Sequence, residues 1–232
     1  LAHALLGSAG MQGSFGTWDD CRVLYPVQKA GLERLLLAEQ EHVGNFLWML
    51  VGTGKTLTIL RFLHETNRTK NCVWTMPKAA LLSVSKEITR VGWTFKVLMH
   101  NAKKNYNEFE SKDIQICTDG FVLEEKTIYL VEHDVLRATI SGSTSSITDI
   151  LEPQMSEATF VCDEVHKLMS DGTQRTANGF RLAGVAGQLV VLTGTPIVSN
   201  KMAPLVRWLK FCVVFPIVKG NEMVAFNAMA ME

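Results

Sequence analysis

The sequence predicts an α/β fold, a single domain whose mostly parallel sheet carries helices on both faces. Three observations lead there. Short, continuous apolar runs alternate with longer stretches of helical spacing. The runs lack the apolar–polar alternation of a half-exposed strand, so each reads as a strand buried on both faces. One of them passes through a Gly-rich turn straight into a helical stretch, as a strand–turn–helix unit must.

In chain order, Val27 to Glu39 has helical spacing, with Leu32, Leu35 and Leu36 on one side. Phe46 to Val51 reads as the first buried strand, and Leu57 to His64 resumes helical spacing after the glycines. Asn71 to Met76 is the next strand, closed by Pro77, and Ala79 to Val91 is again helical. Phe95 to Met99, Ile114 to Thr118, Thr127 to Val131, Thr159 to Cys162 and Leu189 to Thr193 complete the strands. Asn101 to Asp113 is polar and charged and reads as a solvated connection. Ser141 to Ser146 is the one low-complexity patch, expected as an exposed, mobile loop. With no internal repeat or boundary, residues 1–232 are expected to form one domain.

Composition narrows the class. At 47% hydrophobic and 20% charged residues, wholesale disorder is excluded. Lys+Arg and Asp+Glu both total 23, so any nucleic-acid contact is confined to a local groove; a DNA-coating protein would be basic. The five cysteines (Cys21, Cys72, Cys117, Cys162 and Cys212) are odd in number and form no C-x-x-C pair. That argues against a disulfide framework or zinc site. A reducing, intracellular compartment is expected: nucleus, cytoplasm or viral replication site. Cys72 and Cys162 lie within apolar runs and are expected in the core. No stretch approaches the roughly 20 apolar residues that span a bilayer. The nearest, Trp208 to Val218, is interrupted by Lys210 and Pro216, so no membrane partner is expected. Leu1 to Met11 is apolar without a basic leader, and is expected to be the start of a fragment rather than a signal peptide.

Met49 to Thr56 carries the chemistry. It ends in Gly-Lys-Thr between a buried strand and a helix. Glycines there let backbone N–H groups close around a phosphate, and the following helix adds partial positive charge. Gly52, Thr53 and Gly54 would form the cradle, Lys55 would reach the outer phosphates, and the Thr56 hydroxyl would ligate Mg²⁺. Met49 stands where the general pattern has its first glycine. Further on, Asp163 and Glu164 directly follow an apolar strand end, on the sheet edge where ligands gather. Asp163 would hold Mg²⁺, while Glu164 would orient and help deprotonate an attacking water. The strand Leu189 to Thr193 continues into Gly194-Thr195-Pro196, bringing two hydroxyls to the same edge.

Together these residues resemble superfamily-two helicases, most closely the Swi/Snf-type helicase-like ATPases, over nearly the whole chain. Leu24 to Gln28 looks like the glutamine motif, Gly52 to Thr56 matches motif I, and Trp74 to Lys78 looks like motif Ia. Glu132 to Arg137 is similar to the motif between Ia and II. Asp163 to His166 matches motif II, with Val165 where alanine is more usual. Leu192 to Pro196, followed by Asn200, is very like motif III. The resemblance implies a RecA-like P-loop NTPase lobe that binds ATP and Mg²⁺, with Gln28 reading adenine. It implies that His166, Thr193 and Thr195 couple motifs II and III, and that Pro77, Lys78 and His133 meet nucleic acid. It also implies DNA as partner and a second RecA-like lobe elsewhere in the full-length protein, so the isolated chain is expected to turn ATP over slowly. Two alternatives stand beside this: an RNA helicase lobe, against which Leu-Thr-Gly-Thr-Pro argues, and a nucleotide-dependent binding module without motor activity.

Overall fold

The computed structural model describes residues 12–13, 15–20, 22–41, 44–66, 69–101, 106–168, 170, 172–195 and 203–212. Pro196 and Asn200, the stretch Leu1 to Met11, and residues 213–218 of the apolar C-terminal run lie outside these.

Largely apolar runs of three to six residues build the sheet. A two-residue antiparallel ribbon, β1 (Gln12–Gly13) with β2 (Gly16–Thr17), precedes α1 (Pro26–Glu41). Then follow β3 (Gly44–Trp48), α2 (Lys55–Thr66), β4 (Cys72–Met76), α3 (Leu81–Arg90), β5 (Thr94–Met99) and β6 (Ile114–Ile116). β7 (Thr127–Glu132), α4 (Ile147–Leu151), β8 (Thr159–Cys162), α5 (Gln174–Val185), β9 (Gln188–Thr193) and α6 (Ala203–Cys212) complete the order. β3 to β9 form one sheet in the order β3-β9-β8-β4-β7-β5-β6, and every pairing in it is parallel.

Side chains alternate through that sheet into two cores. Cys72, Trp74 and Met76 of β4 pack with α1, α2 and α3, where Leu32, Leu60, Phe62 and Ile88 are buried. Val73 of the same strand joins Phe160, Cys162, Leu182 and Trp208 on the face of α4, α5 and α6. Burial on both faces is why these strands read as unbroken apolar runs. Among the described residues, no helix is long and apolar enough to cross a membrane.

The structure departs from the expected boundaries where backbone geometry overrides composition. Phe46 to Val51 is strand only to Trp48; Leu50 and Val51 are exposed because the chain has already left the sheet. The helix expected from Ala79 begins after Pro77 as a 3₁₀ turn, Lys78–Ala80. Ser141 to Ser146 is a hydrogen-bonded turn rather than a plain loop. Thr139 bridges Ser146, and Ser146 forms a capping box with Asp149 that starts α4. α5 was not anticipated, since Asn178, Gly179 and Gly184 are poor helix formers. Tertiary contacts decide it: buried Asn178 donates to the Leu136 carbonyl at 2.9 Å. Asn101 to Asp113 is not simply solvated either, because Tyr106 within it is buried.

Candidate functional site

β9 separates β3 from β8, with Thr193 opposite Trp48 and Val191 opposite Cys162. All three strands run the same way, so the chain leaving each one opens on one edge of the sheet. There a cleft of ≈ 730 Å³ is lined by Gly52, Gly54, Lys55 and Thr56 after β3, and by Asp163 and Glu164 after β8. Gln28 of α1 and the preceding Arg22 and Tyr25 line its other side. Lys55 and Glu164, 109 positions apart in sequence, thus meet because β3 and β8 are separated by one strand.

The loop after β3 turns on glycines in the left-handed region, Gly52 at φ 80° and Gly54 at φ 87°. Any other residue enters that region at a cost of about 1–2 kcal/mol. A Cβ on Gly54 would lie 2.0 Å from Gln28 Nε2, whereas one on Gly52 would meet nothing within 4 Å. The space over Gly52 is therefore open to a ligand, and Gly54 is reserved for Gln28. Gln28 is buried; its Oε1 accepts from the Tyr25 N–H at 2.8 Å and its Nε2 donates to the Thr53 carbonyl at 3.2 Å. It ties α1 to the loop and keeps one amide N–H for the cleft.

Lys55 opens α2, donates to the Met49 carbonyl at 3.2 Å and lies 3.9 Å from Glu164 Oε1. That approach crosses the end of β9 above Gly194, where a Cβ would come within 3.3 Å of Lys55 Nζ. Glu164 takes φ 48°, a left-handed conformation that a non-glycine residue holds only when its surroundings impose it. Its carboxylate accepts weakly from the Gly194 N–H (3.5 Å) and lies 3.2 Å from His166 Nδ1. Thr193 Oγ1 and Thr195 Oγ1 are each 3.2 Å from the same Nδ1. A carboxylate can only accept, so the imidazole proton sits on Nδ1. Burial lowers the His166 pKa, which keeps the ring neutral near pH 7. The structure thus gathers Thr193, Thr195 and Glu164 around His166 Nδ1.

Asp163 is 7% exposed. Burial, then the charge of Glu164, raises its pKa from 3.8 to about 6, opposed by the Glu164 N–H and by Lys55. The folded state therefore binds more protons than the unfolded chain between these values, and stability is lost as pH rises through the window. In the metal-free protein, Asp163→Asn is expected to raise stability at pH 7.5 by on the order of 3 kcal/mol, with the gain shrinking toward pH 4. Calorimetric unfolding midpoints across that range would show it; a loss of equal size at both ends would contradict it.

The residues suit Mg²⁺-nucleotide. Asp163 and Thr56 offer hard oxygen donors beside the open space over Gly52. Among the described residues, no three His, Cys, Asp or Glu side chains are grouped to hold a metal by themselves. Mg²⁺ takes one or two protein oxygens and completes its shell with phosphate and water.

Pro77, Lys78 and His133 follow β4 and β7 further along the same edge. Lys78 is exposed, its ammonium 4.8 Å from the Tyr106 ring centroid. His133, at 3% exposed, is not brought to the surface: its ring faces the backbone of Asp163 and Thr75. Burial and the Arg175 cation lower its pKa to about 3, so it stays neutral beneath the acidic pair instead of offering a charge to a ligand. Sequence reasoning missed Arg22, whose Nε donates to Asp20 (2.6 Å) and whose Nη2 donates to Glu87 of α3 (2.6 Å) at the mouth of the cleft. Nothing local in the sequence signals that pairing across 65 positions.

The chain is similar to known proteins over most of its length. The family model described as "Type III restriction enzyme, res subunit" matches residues 22–198. The chain is 25% identical over 208 residues to an SNF2 domain-containing protein of Oryza sativa subsp. japonica, covering 86% of this chain and 20% of the relative. It is 24% identical over 184 residues to the protein CHROMATIN REMODELING 24 of Arabidopsis thaliana, covering 77% and 16%. The chain thus spans a fifth or less of the length of these relatives. The SWI2/SNF2 ATPase core of Sulfolobus solfataricus, solved in complex with dsDNA, superposes with a TM-score of 0.56 at 18% identity. That match covers 90% of this chain and 43% of the other, and the shared fold is the RecA-like α/β arrangement.

Proposed function

The chain belongs to the family described as type III restriction enzyme, res subunit, and from that premise we propose that it is the ATP-binding lobe of a DNA-dependent ATPase that translocates on DNA. The observation that carries the proposal is the meeting of Lys55 and Glu164 across Gly194, beside Asp163 and over an open glycine cradle. Phosphoryl transfer needs little beyond positioning and charge neutralisation, and this arrangement offers both. The loop backbone around Gly52 and the start of α2 receive the phosphates, and Lys55 neutralises the outer ones. Glu164 is held in an imposed backbone conformation with its carboxylate toward Lys55, placed to orient a water and take its proton. His166 meets that carboxylate and is itself met by the hydroxyls of Thr193 and Thr195, so a shift in this cluster reaches β9 through the imidazole. Mg²⁺, bound through Asp163 and Thr56, would neutralise charge developing on the phosphate oxygens.

DNA as the track is supported by the structural neighbour, which was solved in complex with dsDNA. Slow turnover by the isolated chain is part of the proposal, because the match covers only 43% of the neighbour's ATPase core. A catalytic arginine supplied from elsewhere is worth about 10³–10⁵ in rate in related chemistry. The test is ATP hydrolysis by the 232-residue chain, with and without duplex DNA, single-stranded DNA and single-stranded RNA. Measurable Mg-ATP binding with slow hydrolysis is expected, and any stimulation should come from DNA. No nucleotide binding would overturn the proposal, and stimulation by RNA alone would overturn its choice of track.

A further inference from the structure

Tyr106 lies in the connection between β5 and β6, yet only 3% of it is exposed. Its ring packs against Phe109 (centroids 6.4 Å apart), and its hydroxyl donates to the Glu132 carboxylate. Burial and that carboxylate raise the phenol's pKa, so the hydroxyl keeps its proton at any working pH. One face of the ring carries the Lys78 ammonium, 4.8 Å from its centroid.

The placement follows from the sheet. Met76 and Glu132 are register partners at the ends of β4 and β7, so Lys78 and Glu132 leave the sheet side by side. Tyr106 reaches both from a third connection. The residue after Glu132 is His133, buried against the backbone of Thr75 and Asp163. Asp134 then pairs with Arg175 (3.1 Å), which donates to the Lys167 carbonyl just past the acidic pair. The support under Lys78 is thus continuous with the floor of the nucleotide cleft.

A lysine on a flexible four-carbon stem loses much rotamer freedom when it grips a phosphate, and one already held in place loses less. We infer that Tyr106 is a positioning residue for a DNA-phosphate contact made by Lys78, its ring holding the ammonium at the sheet edge and its hydroxyl, anchored on Glu132, fixing the ring. The inference rests on the proposed function, which supplies the DNA.

The experiment is titration of a labelled DNA duplex into the full chain at several salt concentrations. Lys78→Ala is expected to weaken binding about three- to tenfold and to lower the salt-dependence slope by about 1. Tyr106→Leu should weaken binding about threefold in the wild-type background and have no effect in Lys78→Ala, because it acts only through the lysine. Tyr106→Phe keeps the packing and removes only the hydroxyl; it should show the same dependence on Lys78 with a smaller loss, and it carries the test if Tyr106→Leu does not fold. Titration with a fluorescent ATP analogue checks folding, since Tyr106 lies outside the cleft and its variants should bind nucleotide normally. If Lys78→Ala weakens DNA binding but the Tyr106 variants weaken it equally with and without Lys78, the inference is overturned and the proposed function stands. If the chain shows no DNA binding at all while still binding ATP, both the inference and the choice of DNA as track fall.

Discussion

Lys55→Ala is expected to lower the affinity for Mg-ATP by about ten- to a hundredfold and to abolish turnover. The lysine makes charge-assisted contacts, each worth roughly 1.5–3 kcal/mol, and 1.4 kcal/mol is a factor of ten. It is the cation that meets Glu164 at the end of β9, and it also lowers the Asp163 pKa. Its loss would therefore leave two acidic groups facing phosphate with less opposing charge. Folding should be little changed, because the backbone of the loop is held by Gln28 and by the Thr53 N–H on the Leu50 carbonyl (3.3 Å). Fluorescence titration with an ATP analogue, beside a thermal melt, separates the two effects. Unchanged nucleotide affinity would remove the basis of the whole site assignment.

Glu164→Gln should produce the opposite pattern: nucleotide affinity kept or improved, turnover reduced by about 10²–10⁴. Glutamine retains the size of the side chain and an oxygen for the Gly194 N–H, but it cannot take a proton from water. Removing the charge also relieves Asp163, whose pKa Glu164 raises, so the carboxylate left for Mg²⁺ should ionise more readily. Single-turnover hydrolysis with the DNA duplex present, set against binding measured in parallel, tests this. A variant that hydrolyses ATP at the wild-type rate would show that another group positions the water.

The reach of the sequence differs from residue to residue. Strand–loop–helix order around Lys55 could be read directly, because a phosphate cradle needs glycines at fixed spacing and a buried strand needs an apolar run. Asp163 and Glu164 could be read for a related reason, as acidic residues directly after such a strand fall on the ligand edge of a parallel sheet. His133 shows where this stops. Its place between two motifs suggested a surface contact, whereas the end of β7 buries it under the acidic pair. α5 was missed because local propensity opposes it and buried Asn178 stabilises it. Tyr106 was hidden in a polar stretch whose composition gave no sign that one ring turns inward.

By itself, then, the sequence determined the α/β class and marked the glycine loop before Lys55, the acidic pair and the two hydroxyls of β9's end as site candidates. Each of these depends on residue type at short spacing, which the chain carries locally. Only the tertiary structure decided that β9 would insert between β3 and β8, so that Gly194 is the point over which Lys55 meets Glu164. It alone decided that Gln28 would brace the loop, that Arg22 would reach Glu87, and that Tyr106 would lie under Lys78. Those contacts depend on strand order and on burial across long separations, and pairing of that kind is set by the packing of the whole core.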